Sequence, residues 1–225
     1  PLPRPGRSLP EEYSKQNVEY VEKGCANLLH HIGIVKESGV PAVVCINSFV
    51  TDTPAEIAKV REICEAAGAR VACSSHWEHG GDGALELADA VMEACDEPSR
   101  FKPLYDWANS YEERIEKIAA KVYGAEAVSL SPKAQEKLRR LNDETVTEET
   151  GLCMVKTQYS LSDNPDLKGA PQNWTLNIRD VMTFGGAGMV VPMAGKVALM
   201  PGTGSSPGFT KVDVDVETGQ ATGIF

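Results

Sequence analysis

The feature that most restricts this chain is a pair of short apolar runs held apart by a single helix. Ala42 to Ile46 is β-branched and uncharged, and Val71 to Cys73 repeats the character after a gap of about one helix. Between them Thr53, Pro54 and Glu56 write a helix start: a T-x-x-E capping box with proline at the first helical position. Ile57, Val60, Cys64 and Ala67 recur at helical spacing as its buried face, and Gly68 stops it. Two strands joined by one helix in so short a span lie parallel, with their carboxyl ends on one rim. Open α/β sheets bind ligands at that rim. Phe49 and Trp77 each fall a few residues past a strand, so two rings are expected on it, with Asn47, Thr51, Asp52, His76 and Glu78 nearby. A single loop aromatic is usually a core residue, whereas two at equivalent positions read either as core aromatics or as the jaws of a slot for a flat molecule.

The rest of the chain frames that unit. Val18, Val21, Cys25, Leu28, Ile32 and Val35 give an amphipathic helix expected from Glu11 to Ser38, ended by Gly39. Gly83 to Cys95 reads as another, with Leu87, Ala88, Val91 and Cys95 on its apolar side. Ser110 and Glu113 form a second capping box ahead of Ile115, Ile118 and Val122, and Ser131-Pro132 starts a charged helix through Leu141. The last third turns to strands: Leu152 to Val155, Trp174 to Arg179, and a terminal hairpin from Val212 to Val216 with Ala221 to Phe225. The expected fold class is α/β: a parallel sheet with flanking helices, then a small helical segment and a mixed, strand-rich C-terminal region. The expected domains are 1–99, the C-terminal portion of an α/β domain; 100–150, a small helical subdomain; and 151–225, strand- and loop-rich.

Composition excludes some functions. The 225 residues carry a formal charge of −10, against a nucleic-acid or anionic-membrane partner. No apolar run approaches a membrane span, and the start lacks the apolar core of a signal peptide, so a cytoplasmic protein is expected. That start is proline-rich and has no initiator Met, which points to a chain beginning partway through something. The six cysteines form no C-x-x-C pair and read as reduced structural thiols.

Three other clusters have bland readings. His76, His79 and Asp82 read as a solvated polar loop ahead of a metal site, so no metal site is expected. Gly185 to Gly188 reads as close backbone packing rather than a phosphate cradle, because no helix and no acidic partner follow at the required distance. Lys156 to Asn164 is either an Asx-rich turn or a ligand loop. A phosphate-binding G-x-x-x-x-G-K-[ST] loop occurs nowhere in the chain.

Taken in order, CINSFVTDTPAEI, SSHWEHGGDGALELA, FKPLYDW, IAAKVYGA, KTQYSLSDNPDLKGAP, IRDV, GAGMVVPMAGKVALMPG and DVDVETGQATGIF closely resemble the C-terminal part of formate–tetrahydrofolate ligase (10-formyltetrahydrofolate synthetase). The resemblance covers essentially the whole chain and implies that 1–99 is the C-terminal portion of an α/β folate and nucleotide domain. It implies an enzyme of one-carbon metabolism that uses ATP, with Mg²⁺, to join formate to N10 of tetrahydrofolate through formyl phosphate. It places the pterin ring between Phe49 and Trp77, with Asn47, Thr51 and Asp52 as neighbours. By the same resemblance Lys156, Ser162, Asp163, Asn164, Pro201 and Gly202 lie near the nucleotide; no catalytic residue is carried over. It also implies a homo-oligomer and an N-terminal half, bearing the phosphate-binding loop, without which this chain is expected to be inactive. The chain departs from the family at Thr203-Gly204-Ser205-Ser206-Pro207, where a Leu-Pro-Thr-Arg-Pro-like run is common. A non-catalytic folate-binding or scaffolding module is the alternative.

Overall fold

The computed structural model describes residue 13 and residues 15–49, 51–143, 150–195, 207–217 and 221–223. It divides into two compact units, Gln16–Val197 and the pairing of Pro1–Lys15 with Ala198–Phe225.

The larger unit opens with helix α1, Val18–Glu37. It starts later than the apolar period alone predicts, because Asn17 caps it: the Asn17 side chain accepts from the Tyr20 amide at 2.9 Å. Its own amide is taken by Glu56 Oε1 at 2.8 Å. Strands β1 (Val43–Asn47) and β2 (Arg70–Ser74) pair in parallel, from Val43 with Arg70 to Asn47 with Ser74. Helix α2, Pro54–Ala66, joins them with the expected capping box between Thr53 and Glu56. Ile32 of α1 and Cys64 of α2 pack into one core with Ala42, Val44 and Val71, while Leu28, Ile46 and Val60 line its border. Both helices therefore cover the same face of the strand pair.

Past β2 the chain makes a four-residue helix, α3 (His76–His79), a 3₁₀ turn over Gly80–Ala84, and helix α4 (Leu85–Cys95). Helix α4 packs on β2. Its best-covered positions are Leu87, Ala90 and Ala94, whereas Ala88, Val91 and Cys95 of the expected apolar side are exposed. The contact with β2 selects a stripe rotated from the most hydrophobic one. Segment 96–110 returns to the end of α1, where the Lys102 amide donates to Ser38 O at 3.0 Å and the Arg100 amide to Gly39 O at 3.2 Å.

A second, mixed sheet follows. Strand β3 (Ala127–Leu130) pairs in parallel with β5 (Thr175–Phe184), β5 is antiparallel to β6 (Met189–Ala194), and β4 (Gly151–Leu152) is parallel to β6, giving the order β3-β5-β6-β4. Helices α5 (Tyr111–Tyr123) and α6 (Pro132–Asp143) pack on it, and Tyr111, Ile115, Leu138, Leu176, Ile178 and Val190 form the core. Segment 100–150 thus contributes a strand and two helices to the same core as 151–194. The glycine-rich passage is the β5–β6 turn: Gly185–Ala187 forms a 3₁₀ turn and Gly188 takes φ 58°. In the smaller unit, β7 (Asp213–Val214) and β8 (Ala221–Thr222) form the expected antiparallel hairpin. All six cysteines are free; Cys25 and Cys64 are buried, but Cys45, Cys95 and Cys153 are exposed rather than structural. Among the described residues no helix is long and apolar enough to cross a membrane.

Candidate functional site

The parallel ladder ends at Asn47 and Ser74, and the two loops that leave it meet. The Ser48 amide continues the ladder by donating to Ser74 O at 2.9 Å, and Ser48 Oγ donates to the same carbonyl at 3.2 Å. Beyond it the chain turns on Asp52, whose Oδ2 accepts from the Phe49 amide at 2.8 Å while its own amide donates to Phe49 O at 3.0 Å. That turn sets the Phe49 ring and hands the chain to Thr53, the cap of α2. On the other side, the Ser75 amide donates to Gly83 O at 2.9 Å, closing a loop around α3. A Cβ at Gly83 would lie 2.6 Å from Ser75 O, so only glycine admits this closure. Trp77 sits on α3.

The two rings face each other: their centroids are 6.1 Å apart and their planes differ by 23°. Both are about half exposed, Phe49 at 56% and Trp77 at 50%, which is not how core aromatics sit. The indole N–H of Trp77 donates to Ser48 O at 2.8 Å, so one jaw is tied to the residue next to the other. Asn47, Thr51 and Asp52 are exposed on the same rim. The structure therefore brings together Phe49, Trp77, Asn47, Thr51 and Asp52. It adds Ser48 and Ser74, which sequence reasoning missed. Ser48 acts through its carbonyl, which leaves no trace in residue type, and Ser74 is a fully buried hydroxyl bonded to His76 Nδ1 at 2.8 Å.

The second predicted group lies in the loop after β4. Lys156 Nζ donates to Thr157 O at 3.1 Å, to Ser160 O and to Ser162 O at 3.4 Å, and lies 4.8 Å from the centroid of the Tyr123 ring. Burial pushes the Lys156 pKa down, partly opposed by the Asp163 charge. Ser162 is fully buried, bonded to Ser160 Oγ at 2.9 Å and to Asn164 O at 3.0 Å. Asp163 Oδ2 accepts from the Asn177 amide at 3.0 Å and side chain at 2.9 Å, and Asn164 Oδ1 accepts from the Asp166 amide at 3.0 Å. All four side chains are engaged in building the loop, which is moored to α1 by Asn27 Nδ2 donating to Gly169 O at 2.9 Å. Pro201 and Gly202 lie outside the described residues, as does the run Thr203 to Ser206.

His76, His79 and Asp82 stay on the exposed turn, and among the described residues no three His, Cys, Asp or Glu side chains group closely enough to hold a metal ion. A separate cleft of about 470 Å³, lined mainly by Phe101, Leu104, Tyr105, Trp107, Tyr123 and Met154, shares no residue with the rim.

Comparison with known proteins agrees with the motif order. The model of the family described as formate–tetrahydrofolate ligase matches residues 4–225. Formate–tetrahydrofolate ligases of Lawsonia intracellularis and Desulfovibrio desulfuricans are 61% and 60% identical over all 225 residues, which span 38% of each relative. That of Desulfotalea psychrophila is 58% identical, with 40% of its length covered. The chain thus spans about two fifths of the length of the curated relatives it matches, and it belongs to the formate–tetrahydrofolate ligase family.

Proposed function

We propose that this chain is the C-terminal part of a cytoplasmic, homo-oligomeric enzyme of one-carbon metabolism that makes 10-formyltetrahydrofolate from formate, tetrahydrofolate and ATP. The observation that carries the reading is the half-exposed Phe49–Trp77 pair, 6.1 Å between centroids, on the carboxyl rim of a parallel strand pair in a chain of this family. A pterin is flat, polarisable and polar-edged. Stacking between two rings holds its faces, while Asn47, Thr51 and Asp52 offer polar groups toward its edge.

Formate is a poor acyl donor because its leaving group is an oxide. In the proposed reaction a formate oxygen attacks the γ-phosphorus of ATP, ADP departs, and formyl phosphate results. N10 then attacks the formyl carbon, the C–O bond to phosphate breaks, and the nitrogen loses its proton. This chain's share is to hold the pterin so that N10 is presented in one orientation, an entropic rather than a chemical contribution. The phosphate-binding loop and the groups that hold Mg²⁺ with ATP belong to the remaining length of the enzyme, so this chain alone is inactive. Lys156, Ser162, Asp163 and Asn164 approach the nucleotide only as a prebuilt loop; Pro201 and Gly202 are proposed beside it. ATP-dependent 10-formyltetrahydrofolate formation tests the reading: the longer enzyme should turn over and this chain should not. Turnover by this chain alone would refute the division of labour.

A further inference from the structure

Among the described residues, strand β1 has an edge with nothing on it. The Arg70 amide donates to Ala42 O at 3.0 Å and the Ser48 amide to Ser74 O at 2.9 Å. In a parallel ladder the bonding alternates, so Val44 and Ile46 turn their backbone groups toward β2. Val43, Cys45 and Asn47 turn theirs outward, and among the described residues no strand pairs with them. The run VVCIN carries none of the devices that protect a true edge: it has no charge, no proline and no bulge. Parallel sheets, moreover, are ordinarily buried and rarely stop at two strands.

Connection handedness says what belongs there. Helices α1 and α2 cover the same face of the pair, both contributing to the core around Val44 and Val71. The β1–α2–β2 crossover is right-handed by the general rule, and the rule applies equally to the connection that enters β1 through α1. With α1 on the α2 face, a parallel strand feeding α1 lies on the side of β1 away from β2. Among the described residues the other face of β1 is only partly covered, by α4. Cys45 is exposed although its ladder partner Ala72 is fully buried, and Leu85 and Met92 of α4 are 60% and 68% exposed.

We propose that β1 is an interior strand whose outer edge takes a parallel, uncharged, β-branched strand from the remaining length of the same ligase polypeptide, ahead of α1 in chain order. The identity of the occupant rests on the proposed reading of this chain as the C-terminal part of a ligase, and on the relatives being longer than this chain. Such a strand lies about 4.8 Å from β1. Its carboxyl-end loop emerges beside Asn47 and Ser48 and forms a third wall of the slot.

Residue-resolved amide exchange on the longer enzyme, without folate, tests this with a control inside one strand. Val44 and Ile46 should be protected in any case. Val43, Cys45 and Asn47 should exchange at least ~10³-fold slower than an open edge, as amides released only by sub-global opening do. Fast exchange at those three beside slow exchange at the other two overturns the proposal. Protection that vanishes on dilution to the monomer assigns the edge to a second copy and overturns it as well. Neither result touches the pterin reading, which folate binding tests separately.

Discussion

Trp77→Ala in the longer enzyme separates a ligand jaw from a packing residue. A ring sandwiched between two others needs two carbon–carbon contact distances of about 3.5 Å, roughly 7 Å between the jaws. The observed 6.1 Å between centroids is shorter, so a pterin bound there would part the jaws by at least about 1 Å, exchanging one ring–ring contact for two ring–pterin contacts. Each such contact contributes about 1 kcal/mol. Trp77 is 50% exposed, and covering half of that surface, about 60 Å² of the roughly 250 Å² of a Trp side chain, adds about 1.5 kcal/mol. Removing the indole forfeits the burial and one contact, but the jaw contact no longer has to be broken. The net loss is about 1.5 kcal/mol, close to tenfold in Kd. Trp77→Phe keeps a stacking face and gives up only the bond to Ser48 O, so its affinity should fall by about threefold or less. Calorimetric titration with tetrahydrofolate reads both, and melting controls for folding, since a half-exposed residue should move Tm by only a few degrees, ~2–4 °C. Unchanged affinity in Trp77→Ala with a large drop in Tm would refute the slot. Phe performing as poorly as Ala would transfer the effect from the stack to the indole N–H.

Two further perturbations test the scaffold. Burial raises the Asp180 pKa, but hydrogen bonds from Lys133 and Lys137 outweigh it and hold the carboxyl well below the usual range. Because the folded pKa is depressed, its contribution is full above the ordinary Asp value and is lost as pH falls through the folded one. Asp180→Asn should cost about 1–2 kcal/mol at neutral pH. Urea denaturation at pH 7 and in stronger acid should show that difference shrink, and a constant difference would contradict the linkage. Gly39 takes φ 81°, and an added Cβ would lie 2.0 Å from Arg100 O. Gly39→Ala should therefore push segment 99–102 off Ser38 and Gly39, costing about 2–4 kcal/mol in backbone strain and two hydrogen bonds. A denaturation midpoint near wild type would contradict this.

Residue pattern revealed what rests on local physics. The β1–α2–β2 unit was legible because proline, the capping pair Thr53 and Glu56, and Gly68 punctuate it, and two rings placed by a common topology could be brought to one rim. Strand β3 was not legible: four residues between Gly124 and Ser131-Pro132 are too few for a period, and only pairing with β5 makes them a strand. The Asn17 cap that starts α1 is held by Glu56, 39 positions away. The stripe that α4 buries depended on where β2 met it, which no helix encodes by itself. Within the site, residue types showed the jaws but not the tether between them, since its acceptor is a backbone carbonyl. Lys156 illustrates the converse. Its type suggests an anion, while the fold surrounds it with three carbonyls.

Glu56 holds more than a helix end. One oxygen takes the amide of Asn17, where the chain enters α1, and the other takes the Thr53 hydroxyl, immediately after the turn that sets Phe49. The Asn17 amide foremost, and then the Thr53 hydroxyl, lower its pKa, so the clasp is complete when the carboxyl is ionised and opens on acidification. The start of α1 and the turn that carries Phe49 are thus fastened to one carboxylate, so a shift at either is felt at the other.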